Sequence, residues 1–152
     1  MFDRFKLAAA VSAALLGFNL GIGAPQAQTG PGPLFIVGGN FRFDNETLWR
    51  RYIDLAGGPG AKIAVMPTAA SNPIRSGDQV AAQLRKLGAA PFVVPIAPQL
   101  KDVDSRRNAQ DQAIAQQIRA AGGVYFVGGN QDRITATLLD ERGQPTAALE
   151  AI

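Results

Sequence analysis

The apolar residues of this chain fall into two alternating patterns, and that alternation limits the fold more than any other feature. Short, nearly unbroken apolar runs occur at Leu34–Val37, Lys62–Met66, Pro91–Val94 and Val124–Val127. Between them, apolar residues recur at helical spacing: Leu48, Tyr52 and Leu55; Val80, Leu84 and Leu87; Ile114 and Ile118; Ile134 and Leu138. Unbroken runs suit strands covered on both faces, and 3.6-residue spacing suits helices that present one apolar face. Their alternation predicts βα units around a mostly parallel sheet, an α/β fold.

The punctuation agrees. Asp44 or Asn45 can cap the first helix and Gly57-Gly58 can stop it; Asn72 precedes Pro73, a residue suited to the first helical position because its missing N–H would have no partner there. Gly88 ends the second helix and Gly122-Gly123 the third, which follows a polar segment from Pro98 to Arg107. Arg142-Gly143-Gln144-Pro145 breaks the fourth, and Thr146 can cap a last helix containing Ala147, Ala148, Leu149, Ala151 and Ile152. That apolar face meets no glycine or polar stop, so the sequence is expected to end inside an element.

Ahead of this region, Arg4 and Lys6 precede the apolar stretch Leu7–Phe18, and Ala24–Ala27 offers small residues. This three-part pattern predicts a signal peptide over 1–27, too short and Ala-rich for a spanning helix and so removed rather than kept as an anchor, with no stable membrane insertion after its removal and export to the periplasm or the extracellular space. Residues 28–33 form a Gly/Pro linker, and 34–152 form the domain. With 152 residues, 47% of them hydrophobic and 18% charged, one globular domain is expected.

Composition excludes several chemistries. There is no Cys and no His, so disulfides, thiolate metal sites, and internal Cys-His or Ser-His pairs cannot form. No metal site and no cofactor is expected. The formal net charge of +3 is scattered among acidic residues, with cation pairs only at Arg50-Arg51, Arg85-Lys86 and Arg106-Arg107. A nucleic-acid partner would need a cationic stripe with aromatic platforms, so none is expected. Asp102, Asp104, Asp140 and Glu141 lie in polar connections and read as ordinary surface.

In an open parallel sheet, the loops at the carboxyl ends of the strands line the ligand crevice. Gly38-Gly39-Asn40 and Gly128-Gly129-Asn130-Gln131 both follow apolar runs. Each is either a tight turn that needs glycine, or a place where a ligand meets free backbone N–H groups; Gln131 adds a donor and an acceptor. Neither has the three spaced glycines of a dinucleotide site, and no phosphate loop ending in Lys-Ser/Thr is present. Thr68 and Ser71 lie in another such loop, Pro67–Asn72, where Ser71 has no visible base to activate it.

Taken in order, Leu34-Phe35-Ile36-Val37-Gly38-Gly39, Lys62-Ile63-Ala64-Val65-Met66-Pro67-Thr68-Ala69-Ala70-Ser71 and Val124-Tyr125-Phe126-Val127-Gly128-Gly129-Asn130-Gln131 resemble the cyanophycinase and dipeptidase E-type serine peptidases. The resemblance covers about Leu34 to Ile152. It implies a three-layer α/β sandwich like that of class I glutamine amidotransferases, flavodoxin-like in its sheet, and incomplete here at the C-terminus. It further implies hydrolysis of aspartyl peptide bonds, including β-aspartyl-arginine links, with a peptide or isopeptide as substrate. Gly129 then matches an oxyanion-hole glycine, and Gln131, Asn130, Gly128 and Gly39 lie beside bound substrate.

The nucleophilic Ser on its Gly-x-Ser-x-Gly elbow and the catalytic His are absent, so no catalytic residue is assigned and this chain alone is expected to be inactive. The alternative is a non-catalytic module that holds acidic peptides. A homodimer is compatible with either.

Overall fold

The computed structural model describes residues 32–38 and 41–152. The expected leader and most of the expected linker, together with Gly39 and Asn40, lie outside the described residues. Among those described, no helix is long and apolar enough to cross a membrane. Pro33–Ile152 groups as one unit.

Helix α1 runs Glu46–Leu55 and is capped by Asn45, whose side-chain oxygen accepts from the Leu48 N–H at 3.3 Å. Ala56 closes it, and Gly57 and Gly58 follow with φ of 113° and 84°. Strand β1, Lys62–Met66, leads through Pro67–Asn72 into helix α2, Pro73–Lys86. There Asn72 caps the Arg75 N–H at 3.1 Å and Pro73 opens the helix. Strand β2 spans Ala90–Val93, helices α3 and α4 span Ser105–Ala109 and Gln112–Arg119, and strand β3 spans Gly123–Phe126. Helices α5, Asp132–Leu138, and α6, Ala147–Glu150, complete the order; Thr146 caps α6 through the Leu149 N–H at 3.4 Å.

The three strands form an open, all-parallel sheet in the order β2-β1-β3. β1 is central, and alternate side chains build a core on each face. Ile63 and Val65 pack with Trp49, Tyr52 and Ile53 of α1 and with Val80, Ala81 and Leu84 of α2. Ala64 and Met66 pack with Ala109 of α3, Ile118 of α4, Leu138 of α5 and Ala148 of α6. All four of these β1 residues are fully buried. At about 25 cal/mol per Å² of apolar surface removed from water, this two-sided burial drives the assembly of the layers.

Four expectations are corrected. Leu34–Val37 is not a strand: it pairs with no neighbour, and Leu34 and Ile36 are each 83% exposed. Only Phe35 is drawn inward, its ring 5.9 Å from that of Tyr52. An apolar run specifies a strand only where an edge is available to hydrogen-bond it. The third run begins and ends one residue earlier than its apolar residues suggest, at Ala90–Val93. Gly123 opens β3 rather than closing α4, which ends at Arg119 with Ala120 as cap. Finally, the polar segment before α4 contains a helix of its own, α3, because Asp104 caps the Arg107 N–H at 3.0 Å and buried Ser105 binds both backbone groups of Ala97.

An aromatic stack closes the α1 face. Phe41 and Phe43 lie parallel to Trp49, with centroids 4.2 and 5.7 Å away; Tyr125 lies on it at 5.5 Å and meets Tyr52 edge-on at 5.6 Å. The Trp49 Nε1–H donates to the Arg42 carbonyl at 3.1 Å. The Tyr52 hydroxyl is buried with no partner among the described residues.

Burial, and secondarily the neighbouring Tyr125, pushes the Tyr52 phenol well above its ordinary 10.0; burial pushes Tyr125 up to about 12. The folded chain therefore keeps protons that the unfolded chain loses above pH 10, so stability is full below that pH and falls as pH rises toward 12. These are the only two tyrosines of the chain. In an alkaline titration, phenolate absorbance is expected to rise together with loss of helical circular dichroism; phenolate formation well before unfolding would contradict the buried pair.

Candidate functional site

The strand order places a topological switch point between β1 and β3. From β1 the chain passes to α2 on one face of the sheet, and from β3 it passes to α5 on the other, so the helices that follow these two adjacent strands lie on opposite faces. Such a switch point, at the carboxyl ends of the strands, is where open α/β sheets bind ligands.

The β1 loop is held rigidly. Pro67, Thr68, Ala69 and Ala70 are all buried. The Thr68 hydroxyl donates to the Ile96 carbonyl at 2.6 Å, which ties this loop to the one after β2, and the Ala70 N–H donates to the Pro67 carbonyl at 3.0 Å. A buried hydroxyl without such an acceptor would cost about 1–3 kcal/mol. Thr68 is therefore a structural anchor. Ser71, next along, is exposed.

The β3 loop docks onto this anchored segment through one carbonyl. Ala69 O accepts the Asn130 N–H at 3.0 Å and the Arg133 Nη1–H at 2.9 Å. Gly129 lies so close that a Cβ placed on it would fall 2.0 Å from Ala69 O and 2.5 Å from the Ala69 carbonyl carbon, and its φ is 155°. No side chain fits there, so the glycine is demanded by the approach of the two loops.

No described residue accepts the N–H of Gly128 or of Gly129, and both residues are exposed. Asn130 folds its side chain back to accept the Asp132 N–H at 2.9 Å. Gln131 stands at the start of α5 with no side-chain capping bond, and it is exposed. Gly128, Gly129, Asn130 and Gln131 thus lie together in the loop beside the switch point. Gly39 lies outside the described residues, and Gly38 beside it is exposed with open space around it.

Arg133 escaped the sequence reading. It is half-buried on the first turn of α5, and its Nη1 also approaches Ser71 Oγ at 3.4 Å. Nothing in the linear spacing of Ser71 and Arg133 signals that they meet. Asp102, Asp104, Asp140 and Glu141 stay away from the switch point: Asp104 caps α3, Asp140 accepts the Arg142 and Gln144 N–H groups, and Glu141 pairs with Arg106 at 3.6 Å. No group of three metal-ligating side chains occurs among the described residues. Two surface cavities, of about 280 and 620 Å³, lie elsewhere, between α3 and α5 and beside β2 and α4.

No protein-family model matches the chain.

The arrangement leaves the backbone N–H groups of Gly128 and Gly129 without an acceptor among the described residues. The close approach at Gly129 gives a direct test. Gly129→Ala is expected to destabilise the fold by about 2–4 kcal/mol, from steric overlap and an unfavourable φ. Gly128→Ala, with open space around it, is expected to cost under about 1 kcal/mol. Urea unfolding of both variants measures this; equal stabilities would mean that the two loops do not meet as described.

Proposed function

We propose that residues 34–152 form part of a cyanophycinase-like serine peptidase domain, with the three-layer fold of class I glutamine amidotransferases, exported by its leader. The loop Gly128–Gln131 supplies the donors that stabilise the oxyanion formed when an aspartyl peptide bond is attacked. Gly129 presents its N–H to that oxygen, and Gly128, Asn130 and Gln131 line the substrate; the resemblance assigns Gly39 to the same set, outside the described residues.

One observation carries this reading: the Gly129 amide, in a loop docked on Ala69 beside the β1/β3 switch point, has no acceptor among the described residues. A fixed, unpaired donor is what transition-state stabilisation requires, since it needs no reorganisation as charge develops. The order of the sequence motifs adds the substrate class, an aspartyl or β-aspartyl peptide.

These 152 residues include no His and no Gly-x-Ser-x-Gly elbow, so bond cleavage is assigned to groups that the chain does not contain. Alone, it holds an acidic peptide without cleaving it, which makes a binding module the second reading for the same site.

Titration of the full chain with β-aspartyl-arginine, followed by amide NMR, is the test. Saturable shifts at Gly128, Gly129 and Gln131 with no release of arginine are expected. Absence of binding would overturn the proposal, and turnover by homogeneous chain would overturn the assignment of cleavage to absent groups.

A further inference from the structure

We propose that Arg133, with Ser71, forms a carboxylate-binding subsite beside the β1/β3 switch point, which selects ligands that carry a free carboxylate beside the carbonyl held at Gly129. This deepens the reading above and rests on it.

The cation is positioned and, among the described residues, unspent. Ion pairs among the described residues use Arg42, Arg50, Lys86 and Arg106, all on exposed side chains, and none includes Arg133. Its described hydrogen bonds engage Nη1 alone, with Ala69 O and Ser71 Oγ as acceptors. A guanidinium carries five N–H donors in a fixed plane, so anchoring one nitrogen orients the rest without using them. Nε and Nη2 then offer the parallel pair of donors that a carboxylate takes in bidentate fashion.

Ser71 adds to this. Its Oγ accepts from Arg133, which leaves the hydroxyl proton free to donate, and a carboxylate on the guanidinium is the acceptor within reach. The same Ala69 carbonyl that holds Arg133 also holds the Asn130 N–H and abuts Gly129. The proposed carboxylate donors and the proposed oxyanion donor are therefore built on one atom, and a ligand engaging both must carry its carboxylate close to its carbonyl. An aspartyl residue has that shape.

The test compares two probes on the full chain: β-aspartyl-arginine, and the same dipeptide with the aspartyl α-carboxylate replaced by a carboxamide. The natural chain is expected to prefer the carboxylate by about tenfold or more, since hydrogen bonds to charged groups are roughly twice as strong as neutral ones. Arg133→Gln is expected to bring the two affinities to within about twofold of each other, while Ser71→Ala, on an exposed side chain, narrows the preference by about threefold.

Thermal unfolding is followed in parallel. A lower Tm for Arg133→Gln with the carboxylate preference intact would make Arg133 a structural clip and overturn the subsite. If Arg133→Gln does not fold, Ser71→Ala decides: an unchanged preference overturns the proposal. Equal binding of both probes by the natural chain overturns the subsite but leaves the Gly129 cradle standing, whereas binding of neither removes the parent reading as well.

Discussion

Strand β1 is the element on which the rest of the structure depends. It is hydrogen-bonded on both edges, to β2 and β3, and Ile63, Ala64, Val65 and Met66 are all removed from water. At those four positions a polar side chain would be costly unless a hydrogen-bond partner were built beside it. Its alternation divides the helices: α1 and α2 cover the Ile63/Val65 face, and α3 to α6 cover the Ala64/Met66 face. The loop leaving its carboxyl end inherits the rigidity of the centre, which is why Pro67–Ala70 remain buried beyond the last sheet hydrogen bond.

Rigidity there lets one carbonyl organise a site. Ala69 O is fixed by its surroundings and receives two donors, so whatever docks on it is placed with little freedom. Gly129 is consequently under two demands that coincide. Sterics exclude any Cβ, and the proposed chemistry asks for a bare amide at the same point. Arg133 is likewise both a brace for the loop and, as proposed, a reader of charge. A group braced by one of its nitrogens forfeits little further entropy on binding, so the two roles support each other.

The periphery behaves differently. Leu34–Val37 has the composition of a strand yet stays outside the sheet, tethered by Phe35 to Tyr52, while β3, with Phe126 38% exposed, is an edge. β2, the other edge, carries Pro91, which lacks the N–H that would extend the ladder. At the edges, local apolarity and strand formation are decoupled, because pairing needs a partner that local sequence does not supply.

By itself the sequence determined the α/β alternation, the strand at Lys62–Met66, the caps at Asn72 and Thr146 with Asn45 as one of two candidates, and the grouping of Gly128 to Gln131 after a strand. These depend on contacts within a few residues: side-chain periodicity, side chains that bind nearby backbone, and glycine at turns. Tertiary structure alone decided that Leu34–Val37 lies outside the sheet, that Gly129 abuts Ala69, and that Arg133 meets Ser71. The last two are contacts between positions distant in the chain, 62 positions apart for Ser71 and Arg133. Periodicity shows which face a residue presents, but not what will be standing opposite it.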